Sequence, residues 1–183
     1  MNKIRNKVLA IVAAIAFMAP LATAAPGNSS RDASDPVVAK EVRKKLVTLP
    51  FYGVFDNLAF KVDGDTVTLF GHVTRPTTRK DAERRVAKIE GIDRVINKIE
   101  VLPVSSFDDS IRVRTYRAVF RSGGLYRYAM GANPSIHIVV NRGHVTLEGV
   151  VSSEMDSRLA YIAANGVPGV FSVTNNLRVE RGS

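Results

Sequence analysis

A gapless self-similarity at an offset of 78 residues constrains this 183-residue chain more than any other feature. With residues 60–101 laid over 138–179, Val62, Val67, Thr68, Leu69, Gly71, Val73, Ala82, Gly91, Val95, Asn97 and Val101 meet Val140, Val145, Thr146, Leu147, Gly149, Val151, Ala160, Gly169, Val173, Asn175 and Val179. The matches fall on apolar strand positions and glycines, and almost none falls on a side chain suited to acid, base, nucleophilic or metal chemistry. Two copies of one small module are therefore expected, specified for folding and binding rather than for catalysis.

The segment before the repeats predicts export. Lys3, Arg5 and Lys7 precede an apolar run over 8–18, and Ala22-Thr23-Ala24 offers the small residues of a cleavage site, so 1–24 reads as a signal peptide. The alternative of an uncleaved anchor is disfavoured, because the run is shorter than the roughly 20 apolar residues that span a bilayer. The chain has no cysteine, which excludes disulfides, thiol chemistry and a lipoprotein anchor. Subtracting Lys3, Arg5 and Lys7 from the net charge of +9 leaves +6. In a cytoplasmic chain that excess points to nucleic acid. In an exported one it points to anionic phospholipid, lipopolysaccharide or acidic proteins, and no nucleic acid is expected.

Periodicity gives each module the order helix, strand, strand, helix, strand. After a small, polar leader over 25–34, Asp35-Pro36 opens a helix whose apolar stripe is Val38, Val42 and Leu46, ending before Pro50. An aromatic loop over 51–58 leads to strands 59–62 and 66–70, joined through Asp63-Gly64. A helix then starts at Thr77 or Thr78, with Asp81 in capping-box spacing and Ala82, Val86 and Ile89 buried; Gly91 ends it before a strand over 94–102. In the second copy Asp108 or Asp109 caps a helix through Arg121, and a glycine- and tyrosine-rich loop follows. Strands 135–140 and 144–151 flank Asn141-Arg142-Gly143, Ser153 caps a helix, and the last strand is 170–179. The expected fold class is α+β: two tandem αββαβ domains over 35–102 and 108–180, with a linker at 103–107. Each is a three-stranded mixed sheet with two helices on one face.

The run from Val62 to Val73, with Ala82, Gly91-Ile92 and Val95-Ile96-Asn97, resembles the BON domain, named for osmotically inducible and nodulation proteins of bacteria. Val145 to Val151, Ala160, Gly169-Val170 and Val173-Thr174-Asn175-Asn176 repeat the resemblance. It implies an envelope location and a non-enzymatic role in attachment to phospholipid membranes or in periplasmic stress protection. Two-domain members include lipoproteins, from which this chain departs by lacking the cysteine.

The candidate contact surface lies where the gapless alignment breaks down. Arg114, Arg117 and Arg121 share one side of a helix at spacings of three and four, Tyr116 and Phe120 face roughly the other way, and Leu125, Tyr126, Arg127 and Tyr128 follow. Guanidinium groups bind phosphate bidentately and tyrosine rings settle at headgroup depth, so Arg112, Arg114, Arg117, Arg121, Tyr126, Arg127 and Tyr128 form the candidate phospholipid-binding set. The plainer alternatives are a solvated basic face over core aromatics, and Gly123-Gly124 as a helix cap rather than a hinge. The first copy has a milder basic run in Lys40, Arg43, Lys44 and Lys45, and its module is expected to brace its twin or dock an envelope protein. His72, His137 and His144 lack metal-ligand spacing, although His137 and His144 stand within reach across the second hairpin. No catalytic residue, cofactor, metal or small-molecule substrate is expected. The second functional reading is a soluble periplasmic chaperone for unfolded envelope proteins.

Overall fold

The duplication is visible strand by strand in the computed structural model, which describes residues 36–131 and 133–180. The expected signal peptide, leader and Asp35 cap lie outside the described residues. The first module runs α1 (Pro36–Val47), β1 (Asn57–Asp63), β2 (Thr66–Val73), α2 (Pro76–Val86), β3 (Arg94–Asn97) and β4 (Glu100–Val101). The second runs α3 (Ser106–Arg121), a 3₁₀ helix (Leu125–Ala129), β5 (Ile136–Asn141), β6 (His144–Val151), α4 (Glu154–Asn165) and β7 (Ser172–Val179). This is an α+β fold of two αββαβ units, each a mixed sheet carrying two helices. Among the described residues, no helix is long and apolar enough to cross a membrane.

Each sheet joins an antiparallel hairpin to a parallel third strand. β2 pairs β3 and β4 in one register, Thr66 opposite Arg94 and Val73 opposite Val101; β6 pairs β7 in the register 78 residues on, His144 opposite Ser172 and Val151 opposite Val179. The strand expected over 94–102 is interrupted at Lys98-Ile99, yet the Lys98 amide still donates to Leu69 O at 2.8 Å, so the ladder keeps its register.

The shared residues have shared reasons. Gly71 and Gly149 sit at φ +111° and +123°, where an added Cβ would stand 2.0 Å from the carbonyl oxygens of Asn57 and Ser135, so only glycine lets the hairpin strands close there. The Asn97 amide group donates to Arg79 O and Glu83 and accepts from the Ile99 amide, while Asn175 donates to Ser157 and accepts from the Leu177 amide. One asparagine per module thus pins the last strand to the helix that precedes it.

Three local expectations are corrected. α2 begins at Pro76 with Arg75 in the extended N-cap position and no side-chain cap; Thr78 is buried and Asp81 pairs with Arg84 instead. Proline supplies the helical φ without needing a capped N–H. The first hairpin turns on Gly64-Asp65, since Asp63 and Thr66 are paired, and only Gly64 is left-handed; the second turns on Arg142-Gly143, both at positive φ. α3 starts at Ser106, inside the expected linker, capped by the Ser105 hydroxyl, which accepts from the Asp108 amide at 3.2 Å. The Asp108 carboxylate is buried and accepts 2.8 Å bonds from the amides of Arg142 and Gly143, tying α3 to the second hairpin.

Two apolar cores form, one per module, and the loop before β1 joins them. Tyr52 packs on the first core, but Val54 and Phe55 pack on the second. The Ile138 amide donates to Val54 O at 2.7 Å, and the Gly53 oxygen lies 3.3 Å from His137 Nδ1. The Tyr52 and His137 rings stand 5.5 Å apart. Asp56, 2% exposed, fixes the loop by accepting from the Gly53 amide and from the Thr74 amide and hydroxyl.

Burial pushes His137 below its usual 6.5 and outweighs the contacts with Gly53 and Asp56 that favour its charge; burial also pushes the Tyr52 hydroxyl up to about 12. The folded state resists charging either ring. Above 6.5 the stabilisation tied to neutral His137 is fully present; as pH falls the unfolded histidine takes up a proton first, and it is lost. Above 10 the unfolded tyrosine ionises first, and stability falls again toward 12. Denaturation followed against pH should show a plateau between these limits, and His137→Gln should flatten the decline just below 6.5.

Candidate functional site

α3 builds the site, and its inner face explains its outer one. Ile111, Thr115 and Val119, at spacings of four, are fully buried and carry the helix on the sheet. The first turn is acidic (Asp108, Asp109) and the last is basic (Arg121), which suits the helix dipole. Gly123 and Gly124 end the helix at φ +48° and +84°, and a Cβ on Gly123 would meet Leu159 at 2.2 Å, so this pair is a packed terminator rather than a hinge.

The candidate residues divide sharply. Arg112 is only 4% exposed; its guanidinium donates to Val140 O at 2.7 Å and pairs with Asp109, so it holds α3 to β5 and does not reach solvent. Tyr128 is 7% exposed, its hydroxyl 2.9 Å from Asp156 Oδ2, 3.0 Å from Ser152 Oγ and accepting from the Ser152 amide at 2.8 Å. Arg127 lies on the face of the Tyr128 ring at 4.6 Å and donates to Asp156 and Gly124 O. Burial works against the Asp156 charge, but donors from Ser153, Tyr128 and Arg127 outweigh it and hold the carboxyl below its usual 3.8. Of the expected lipid-facing set, Arg112 and Tyr128 are thus buried within the fold, and Arg127, though its side chain is 45% exposed, is already paired with Asp156.

Arg114, Arg117, Arg121 and Tyr126 are exposed, and none of the three arginines has an ion pair or side-chain hydrogen bond among the described residues. Arg117, Arg121 and Tyr126 border a groove of ≈ 760 Å³, together with Val113, Tyr116, Phe120 and Ala129 of the same module. Arg114 lies apart, over Gly169 and in a shallow hollow with Asp109 and Ser110. The groove's opposite wall is Val54 and Phe55 of the first module. Phe55 meets Tyr116 edge to face at 6.3 Å, and Tyr116 meets Phe120 at 4.8 Å, giving a row of three rings across the module boundary. Phe120 is buried and Tyr116 is 37% exposed, so the aromatics serve core and surface at once. Sequence reasoning missed Val54 and Phe55; the density of rings at Phe51, Tyr52 and Phe55 was their signal, but periodicity does not say which module such a loop covers.

His137 stands opposite Glu148 and His144 opposite Asn141, so the hairpin keeps the two histidines apart. Among the described residues no group of three or more His, Asp or Glu is placed to hold a metal ion.

The family model of the BON domain matches residues 34–103 and again residues 125–181. No curated protein matches the chain. Among solved structures, the chain is similar to the C-terminal domain of CdsD, the structural protein of the type III secretion system of Chlamydia trachomatis, at 10% identity and a TM-score of 0.33, covering 82% of this chain and 100% of that one. A second structure of CdsD gives 8% identity and a TM-score of 0.33 over 80% of this chain and 94% of that one.

Arg112→Ala should lower the stability of the second module by about 1–3 kcal/mol, because Val140 O loses its charged donor in a buried site. Chemical denaturation measures it. A variant as stable as the parent would show that the buried guanidinium is dispensable.

Proposed function

The chain belongs to the BON-domain family in both of its halves, and on that premise we propose that it is a non-enzymatic envelope protein that binds anionic phospholipid surfaces reversibly through α3. Proteins with BON domains are often periplasmic or envelope-associated and generally non-catalytic. The observation that carries the reading is the pairing of exposed arginines without ionic partners, Arg114, Arg117 and Arg121, with the exposed rings of Tyr116 and Tyr126 on one helix and the loop after it. Guanidinium groups match headgroup phosphates, and amphipathic rings settle where headgroup meets acyl chain. A basic residue near an anionic surface contributes about 1 kcal/mol, so three give weak, salt-sensitive contact rather than permanent anchoring. The first module braces this surface by holding Val54 and Phe55 against the second core.

Flotation with vesicles of phosphatidylcholine, with and without phosphatidylglycerol, tests the proposal. Binding should require the anionic lipid, weaken as salt is raised, and fall roughly a hundredfold when Arg114, Arg117 and Arg121 all become glutamate, with the circular dichroism spectrum unchanged. Binding indifferent to lipid charge, or retained by the triple variant, would sink the reading.

A further inference from the structure

We propose that the groove between the loop at 54–55 and α3 holds one acyl chain of an anionic phospholipid, with its phosphate on Arg117 and Arg121. The inference rests on the lipid reading for the sign of the ligand's charge, and adds a defined site to what would otherwise be surface attraction. At ≈ 760 Å³ the groove lies within the range of small-ligand sites, roughly 300–1,000 Å³. Its walls are chemically sorted. One is aliphatic and aromatic, from Val54 and Phe55; α3 offers Val113 and the rings of Tyr116 and Phe120; and the exposed Arg117 and Arg121 complete the lining with Tyr126 and Ala129.

That sorting selects the occupant. Among the described residues, the buried side-chain polar atoms without a partner are Thr78 Oγ1, Arg112 Nε and Thr115 Oγ1, and none of these residues lines the groove. A bound peptide would have to bury its own amides against the apolar part of the lining, whereas a hydrocarbon chain makes no such demand. Two arginines beside one another supply the bidentate donors a phosphate accepts, and Arg117 and Arg121 lie one helical turn apart without an internal acceptor. Because one wall comes from each module, the occupant fastens the modules together, and a site of this kind exists only while both are docked.

The test is calorimetric titration of the purified protein with lysophosphatidylglycerol kept below its micelle concentration. Saturable one-to-one binding is expected, weaker by about tenfold or more for lysophosphatidylcholine, and absent for glycerol phosphate, which has the head without the chain. Phe55→Ala and Val113→Trp should each weaken it about tenfold or more. The first removes a wall, and the second fills the groove from a surface position that is 42% exposed, where added bulk leaves the core unchanged. Phosphatidylglycerol vesicles should still float both variants through the arginines. Absence of saturable binding, equal affinity for both lysolipids, or two variants that bind like the parent would overturn the site. Vesicle binding with no monomer binding removes the groove and leaves the surface reading standing; monomer binding with no vesicle binding does the reverse.

Discussion

The arrangement described here depends on the hydrogen bond from the Ile138 amide to Val54 O, 2.7 Å long, which closes the outer edge of β5 with the loop that precedes β1. β5 is the end strand of its three-stranded sheet, yet Ile136, His137, Ile138, Val139 and Val140 are all buried. An uncovered edge strand of that composition is a template for association. Here the neighbouring module covers it. The cost is a buried neutral histidine and a loop that must be held in place, which Asp56 does by gathering the donors of Gly53 and Thr74.

Covering that edge also makes the candidate site. Val54 and Phe55 reach the second core only because the loop is drawn across β5, and in doing so they turn the aromatic side of α3 from an exposed stripe into one wall of a groove. The arginines that remain free are those that the fold does not employ. Arg112, one turn before Tyr116, is spent on Val140 O and Asp109, and Arg127 on Asp156, so sequence proximity to the tyrosines says little about availability. The family match resumes at residue 125, so α3, the helix that carries these arginines, lies outside the matched residues.

Much of the fold is legible in the sequence because its determinants are local and doubled. A Cβ on Gly71 or Gly149 would stand 2.0 Å from a carbonyl oxygen of the facing strand, Asn97 and Asn175 each tie strand to helix, and the 78-residue offset carries the parallel register from one sheet to the other. Capping is less legible where several small polar residues compete. Ser105 rather than Asp108 caps α3, since the Asp108 carboxylate finds two amides in the distant turn at Arg142-Gly143. The site is legible only in part. Helical spacing identifies Arg114, Arg117 and Arg121 as one face, but burial of Arg112 and Tyr128 and the arrival of Phe55 depend on contacts across elements and between modules that no local pattern encodes.

Native-state hydrogen exchange at the Ile138 amide tests the central claim, that the modules are docked through this edge. Ile138 should exchange as slowly as amides bonded within the β5–β6 ladder, because opening it requires the loop at 52–56 to leave the second module. Exchange at Ile138 as fast as at the outer edge of β7 would mean that the edge is open in solution, that the two modules are tethered rather than docked, and that the groove does not persist.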